Sequence, residues 1–284
     1  MTTEQYDNIS QQRVCKMIDI PRSTYYYTPI TNIKVKYEKL LNTIEYIIFN
    51  TRIYGYRRVT EELRKYGFRD NRKRVLIIMR ENKLIVKKKR RYVNTTNYNH
   101  SLSLYPNLIK YKSITAPNQV WASDITYIPL SQGAAYFCVI LDVFSRKVIG
   151  YCLSKSIDTN MTIIALRKAL STRKITKDII HHSDRGIQYA SNAYTDLLKK
   201  NNIAISMSAK GNPYDNAMVE SFFKTLKQEE IYVNEYKSFD DEKIKIYNYI
   251  DNYYNIVRLH SSINNKPPEI FEKNYYETFN ISKP

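Results

Sequence analysis

The chain has 284 residues, enough for one large core or two smaller ones, and its 43% hydrophobic and 25% charged residues are ordinary for a globular protein. Against 27 Asp and Glu stand 45 Lys and Arg, a formal net charge of +18 that favours a polyanionic partner, because each neutralised phosphate releases condensed counterions. Cys15, Cys138 and Cys152 are too widely spaced for a disulfide framework or a Cys-based zinc site, no apolar run has membrane-span length, and the polar start lacks a signal-peptide core, so reduced thiols in a cytosol are expected.

Residues 10–27 read as a short helix, a turn and a second short helix opened by Pro21, with Val14, Met17 and Ile18 as apolar contacts. Arg22, Ser23 and the run Tyr25, Tyr26, Tyr27 either meet phosphates or belong to a plain helical hairpin. Residues 34–50 carry Leu40, Leu41, Ile44, Ile47 and Ile48 at helical spacing. Val59 and Leu63 then stripe a helix ending near Gly67, and Val75, Ile78 and Met79 stripe another starting near Asn71. Two short helices joined by a glycine turn describe a helix-turn-helix. From Arg52 to Arg91 sixteen Lys or Arg face four Asp or Glu, so DNA binding is expected here rather than a merely solvated face. Its candidate contacts are Arg57, Arg58, Arg72, Lys73, Arg74, Lys87, Lys88, Lys89, Arg90 and Arg91. Residues 92–118 are polar and contain Pro106 and Pro117; they read as a linker with a domain boundary near residue 112.

After the linker the period changes. Residues 120–130, 134–141 and 147–153 are three consecutive strand candidates, with turn signals at Gly133 and Ser145–Arg146, so an antiparallel meander is expected. A helix at 158–172, a strand at 177–183, a helix near 190–200 and a strand at 203–208 follow. The glycine- and proline-containing loop AKGNPYDN leads to a long helix starting near Asp215, and another helix covers 239–256. That order is the order of an α/β, ribonuclease-H-like fold, a mixed five-stranded sheet 3-2-1-4-5 flanked by helices and preceded by the helix-turn-helix-type region.

Asp124 lies inside the first strand among apolar and aromatic residues, where a carboxylate is costly to bury unless paired or ligating metal. Asp184 ends the fourth strand and Glu220 lies on the long helix. Singly, Asp124 reads as a satisfied buried acid, Asp184 as a turn starter and Glu220 as a surface acid paired with Lys224. Together, with the first and fourth strands adjacent, they converge. Three hard oxygen ligands with room for substrate phosphate suit Mg2+ or Mn2+, and two such ions about 3.5–4 Å apart serve an in-line phosphoryl displacement.

The runs WASDITYI, LDVFSRKVIGY, HHSDRGIQYAS, SMSAKGNPYDNAMVESFFKTLKQE and YIDNYYNIVRLHSSINNKPPEIF resemble the OrfB catalytic subunits of the IS-three insertion-sequence family, densely over residues 113–272. Thirty-five residues separate Asp184 from Glu220, the spacing of that family's DDE triad. The resemblance implies a retroviral-integrase-like core in a bacterial, nucleoid-associated enzyme that cuts and joins DNA using Mg2+ or Mn2+, with Asp124, Asp184 and Glu220 as catalytic metal ligands. It also implies a basic residue seven places after the glutamate, here Lys227, which shares a helical face with Glu220 and reaches a DNA phosphate. Lys224 on the same helix is a further DNA-contacting candidate. The implied partners are the element's terminal inverted repeats, target DNA and further copies of the chain. The family's full transposase is often a frameshift fusion whose upstream frame supplies another helix-turn-helix and a leucine zipper; no sustained heptads precede residue 34 here, so two readings stand, a chain that acts by itself and an OrfB portion whose end recognition and multimerisation are partly supplied by an upstream-frame product or fusion.

The implied division is 1–112 for the helical DNA-binding region and linker, 113–235 for the catalytic core and 236–284 for a helical extension. With a hairpin centred near residue 132, Asp142 is expected diagonally across from Asp124 on the same face, capping the turn at Ser145. Asp215 is expected to cap the long helix, Asn216 to lie in its first turn, and Gly211 and Asn212 to contact DNA. His181 and His182 lack the cysteine pair of a zinc site, and one of them is expected buried with the other at the active-site edge. Arg258 and His260 read as packing or DNA contact. A plain ribonuclease-H-like nuclease would not need the basic amino-terminal region, and a non-catalytic regulator would be expected to lack at least one acid.

Overall fold

The computed structural model describes residues 11–26, 33–51, 54–85, 104–129, 133–175, 178–208 and 216–279. Tyr27, Arg52, the basic run 87–91, much of the expected linker, and Gly211, Asn212 and Asp215 lie outside the described residues. The chain groups into two compact units, 1–46 and 47–284.

The first unit holds α1 (Gln11–Met17), α2 (Arg22–Tyr25) and most of α3 (Ile33–Thr51). Pro21 accepts the amides of Thr24 and Tyr25 as the second helix opens. Leu40, Ile44 and Ile47, spaced four and three apart, form the buried stripe of α3.

After the end of α3 the second unit continues with α4 (Tyr56–Lys65) and α5 (Arg72–Glu81), whose Val59, Leu63, Val75, Ile78 and Met79 are buried. The turn between them is set by local chemistry. Gly67 has φ +82°, its amide bonds the Arg64 carbonyl, and the Phe68 amide bonds the Leu63 carbonyl, closing α4 in a Schellman motif. Asn71 then caps α5 by accepting the Lys73 amide at 2.9 Å.

Five strands, β1 (Val120–Pro129), β2 (Ala134–Asp142), β3 (Val148–Ser154), β4 (Ile180–Ser183) and β5 (Ala204–Met207), form one sheet in the order β3-β2-β1-β4-β5. β1, β2 and β3 pair antiparallel, while β4 runs parallel to both β1 and β5, so the expected mixed order holds. Helices cover both faces. On one face Ala122, Phe137, Val139 and Leu141 join a core with α9 (Ala217–Leu226) and α10 (Phe239–Asn248), through Val219, Phe222, Phe223, Leu226 and Ile246. On the other, Trp121, Ile125, Cys138 and Ile140 pack with α6 (Thr159–Thr172), α7 (Ile187–Ala190) and α8 (Asn192–Lys200). α6 approaches β3 closely: a Cβ on Gly150 would sit 2.2 Å from the Ala165 carbonyl oxygen, so only glycine fits there. Both α9 and α10 run on into π-helical turns, at Lys227–Ile231 and Tyr249–Tyr254, before α11 (Pro268–Thr278).

Glu242, in the first turn of α10, is fully buried, and neither carboxylate oxygen has a hydrogen-bond partner among the described residues. Desolvation pushes its carboxyl up to about 7. Because the folded value lies above the ordinary 4.5, Glu242 contributes its stability in the protonated form; that contribution is complete below the ordinary value and is lost as pH rises from about 4.5 to about 7. Glu242→Gln removes the ionisation and is expected to raise the urea midpoint, relative to the unsubstituted chain, more at pH 8 than at pH 4. A difference that does not change with pH would refute this.

Candidate active site

The ladder between β1 and β4 pairs Val120 with Ile180, Trp121 with His181 and Ala122 with His182. The same offset carried two residues onward sets Asp124 beside Asp184. Glu220 lies in the first turn of α9, on the helix that covers the Asp124 face of the sheet. Asp124 is half-buried and its Oδ1 accepts the Ile125 amide at 2.7 Å. Asp184 Oδ1 accepts the Gly186 amide at 2.9 Å, and a Cβ on Gly186 would come within 3.0 Å of that oxygen. Glu220 is exposed. Lys227, at the start of the π-helical turn, donates from Nζ to Thr126 Oγ1 at 2.7 Å, one residue pair along β1 from Asp124.

The electrostatics join these groups. Burial, then repulsion from the Asp184 carboxylate, hold the Asp124 carboxyl well above its ordinary value; Glu220 adds to the repulsion, while the Ile125 amide and Lys227 oppose it. Burial in turn lowers the Lys227 ammonium, and Asp124 opposes that shift. At Asp124 a divalent cation would relieve desolvation and repulsion together. The donors present are carboxylate oxygens, the hard ligands that Mg2+ and Mn2+ take. Among the described residues no three His, Cys, Asp or Glu side chains stand close enough to hold a single ion. Mg2+ is commonly held by one or two carboxylates, with water and substrate phosphate completing its shell, so Asp124 on β1 and Asp184 just past β4 are a sufficient protein donor set.

The other predicted residues sort themselves by contact. Asp142 clamps its turn as expected, accepting the Ser145 amide and hydroxyl on Oδ1 and the Asn118 amide on Oδ2. It does not share a face with Asp124. Asp142 pairs with Trp121 and Asp124 with Val139, an odd step apart, so strand alternation turns them to opposite sides. Both histidines are buried, which corrects the expectation that one stands at the site's edge: His181 Nε2 meets Tyr194 Oη and His182 Nδ1 meets Ser206 Oγ. Burial beside His182 pushes His181 down to about 3, so it is neutral. Asn216 occupies the N-cap position of α9 rather than its first turn. Arg258 and His260 are packing residues; Arg258 Nε and an Nη donate to the two Glu229 oxygens at 2.7 and 2.8 Å.

Of the basic candidates, Arg57, Arg72, Lys73 and Lys224 are exposed. Arg74 pairs with Asp70 and Arg58 with Glu229, so each of these two carries an internal partner. Lys87, Lys88, Lys89, Arg90 and Arg91 lie outside the described residues. Sequence reasoning missed the layer behind the acids: Ser123, whose hydroxyl lies 2.9 Å from Tyr189 Oη, and the Asn216 side chain, which donates to the Ser123 carbonyl at 3.3 Å. The available signal was a small hydroxyl residue directly before Asp124 and a tyrosine five positions after Asp184.

Comparison with known proteins gives the same outline. Two integrase core domain families match residues 114–213 and 201–268, and an HTH-like domain family matches residues 36–92. A Shigella sonnei protein, the insertion element IS600 uncharacterized 31 kDa protein, is 36% identical over 93% of this chain and 99% of its own length. The transposase for insertion sequence element IS904 of Lactococcus lactis is 40% identical over 78% of this chain and 87% of its own. Transposase InsF for insertion sequence IS3A of Escherichia coli is 40% identical over 77% of this chain and 76% of its own.

Proposed function

The chain belongs to the IS3-type insertion-sequence transposases, polynucleotidyl transferases with an integrase core and an HTH-like domain, and from that premise we propose that Asp124, Asp184 and Glu220 are its catalytic metal ligands. The observation that carries this reading is the β1–β4 register, which sets Asp184, just past the end of β4, beside Asp124 on the face covered by the helix that carries Glu220; the upward shift of the Asp124 carboxyl, caused by burial and by Asp184, accords with it. Mg2+ or Mn2+, which these carboxylates would hold, would supply the charge that activates the attacking oxygen and neutralises the leaving one in an in-line displacement.

The chain's own groups set the rest of the reaction. Lys227, fixed on Thr126 beside Asp124, offers its ammonium to the phosphate of the bound DNA end. In the first step water attacks the phosphodiester at the end of the element; a new P–O bond forms, the bond to the 3′ oxygen breaks, and a 3′ hydroxyl is freed. In the second that hydroxyl attacks a target phosphodiester and the corresponding P–O3′ bond of the target breaks. Both steps need the same arrangement of acids. Cutting two terminal repeats and bringing them to one target requires more than one copy of the chain, with or without an upstream-frame product. Regions 1–112, 113–235 and 236–284 then serve DNA binding, catalysis and support. Among the described residues no helix is long and apolar enough to cross a membrane, in keeping with work on DNA in a bacterial cytoplasm.

The direct test is nicking and strand transfer by the purified chain on duplexes carrying the element's terminal repeat, with and without Mg2+ or Mn2+. Metal-dependent release of a 3′ hydroxyl and its joining to a second duplex is expected; a reaction indifferent to chelator would end this reading. The amino-terminal region has its own test. Arg57→Ala, Arg72→Ala and Lys73→Ala together are expected to lower the slope of log affinity against log salt by about 0.9 for each phosphate that is no longer neutralised. An unchanged slope would place the affinity elsewhere.

A further inference from the structure

Three acids on three separate elements repel one another, so their spacing has to be imposed from behind. Directly before Asp124, Ser123 is fully buried, and strand alternation turns its side chain to the opposite face of the sheet. Its hydroxyl has one proton, donated to the Val139 carbonyl at 2.9 Å on the neighbouring strand. The bond to Tyr189 Oη, also 2.9 Å, is therefore donated by the phenol. Tyr189 is buried, wedged edge-on against Tyr194, and its amide bonds the Gly186 carbonyl at 3.0 Å. The Gly186 amide in turn holds Asp184 Oδ1 at 2.9 Å. An unbroken path of short bonds thus runs from the residue beside Asp124 to the Asp184 carboxylate.

The same residue reaches the third acid through its main chain. The Ser123 carbonyl accepts a hydrogen bond from the Asn216 side-chain nitrogen at 3.3 Å. Asn216 is the N-cap residue of α9, and Glu220 follows one turn later on that helix. No side-chain cap bond ties Asn216 to its own helix; its side chain donates to β1 instead. Asn216 is 7% exposed, and its Oδ1 is a buried acceptor without a partner among the described residues.

We propose that Ser123, Tyr189 and Asn216 are positioning residues: the Ser123–Tyr189 path fixes Asp184 beside Asp124 as a metal-binding pair, and the Asn216 link holds the helix that carries Glu220 against the same strand. This rests on the reading of those acids as metal ligands. Groups that orient ligands from behind are worth about 10–100-fold in metal affinity. Mg2+ demands near-ideal octahedral geometry, so it suffers more than the larger Mn2+ when the ligands are loosened.

The test uses the full chain and Mn2+ binding followed by the loss of the free-ion electron paramagnetic resonance signal, beside nicking assays in each metal. Tyr189→Phe deletes one hydroxyl, and Asn216→Ala deletes the link to β1. Each is expected to weaken Mn2+ binding about 10–100-fold, to impair nicking more in Mg2+ than in Mn2+, and to leave affinity for DNA measured without metal unchanged. Ser123→Thr, which keeps a hydroxyl, should restore most of what Ser123→Ala loses. If Tyr189→Phe fails to fold, Asn216→Ala at the helix end carries the test alone. Unaltered Mn2+ affinity in the folded variants overturns the proposal, as does an equal loss of nicking in both metals. Asp124→Asn distinguishes the two readings: if it removes Mn2+ binding while Tyr189→Phe and Asn216→Ala do not weaken it, only the positioning role fails. If Asp124→Asn binds Mn2+ normally, the ligand reading fails and the positioning role with it.

Discussion

Asp124→Asn, Asp184→Asn and Glu220→Gln are each expected to reduce both nicking at the element's end and joining to target DNA by at least about a hundredfold. Each substitution keeps the shape of the side chain and its capacity to hydrogen-bond, and removes one anionic oxygen. At Asp124 the amide is also easier to bury, since burial and the Asp184 carboxylate already hold the native carboxyl well above its ordinary value. Loss of activity without loss of stability is therefore the expected pattern there, and it separates a ligand from a packing residue. Binding to DNA should persist, because much of the chain's positive charge lies between Arg52 and Arg91, outside these elements. The raised Asp124 carboxyl adds a pH dependence. Its proton competes with the cation, so the metal concentration for half-maximal nicking should rise as pH falls. Asp142→Asn is the control: that carboxylate faces the other side of the sheet and holds the turn through Ser145 and Asn118, so stability should fall further than activity. Near-native activity in both steps for any one of the three acid variants would remove that residue from the ligand set.

Arg258→Met is expected to cost about 3–5 kcal/mol of folding stability, seen as a lower urea midpoint at an unchanged slope. The guanidinium is 3% exposed and the Glu229 carboxylate it grips is 8% exposed. Glu229 sits in the π-helical turn that also carries Lys227, and its other partners are Arg58 from α4 and the Tyr249 hydroxyl. Removing Arg258 leaves a buried carboxylate whose charge is balanced by the longer 3.4 Å contact to Arg58. The attraction of Glu229 also keeps the Arg258 guanidinium more firmly protonated than usual despite burial. Because an unpaired buried charge is what costs most, Arg258→Met combined with Glu229→Met should recover much of the loss. A single-variant loss below about 1 kcal/mol would show that the pair is hydrated and unimportant to the fold, and a double variant no better than the single would show that the loss does not come from the unpaired carboxylate.

The helices and strands were legible because their signals are local. The stripe of Leu40, Ile44 and Ile47, the glycine that closes α4 and the asparagine that caps α5 each act within a few residues. The hairpin centre near residue 132 followed from the turn signal, and the register pairing Asp124 with Val139 agrees with it. The inference about Asp142 failed at the next step, because a face assignment depends on counting every residue in both strands, and an odd step reverses it. One of the two histidines before Asp184 was expected at an edge; instead β5 covers β4 on its outer side, and the hydroxyl of Ser206 receives His182.

What the sequence by itself determined was the order of elements, the strand arrangement 3-2-1-4-5, the family, and the positions of the three acids, all of which rest on periodicity, turn residues, motifs and spacing along the chain. What only the tertiary structure decided was the support behind those positions: Ser123 taking the Tyr189 hydroxyl on one side and the Asn216 amide on the other, and Glu229 drawing in Arg58 and Arg258. These are side-chain contacts across 66, 93, 171 and 29 residues of chain. No local propensity encodes them, because a hydroxyl, amide or carboxylate is satisfied by any partner of the right chemistry, and packing alone determines which one lies within about 3 Å.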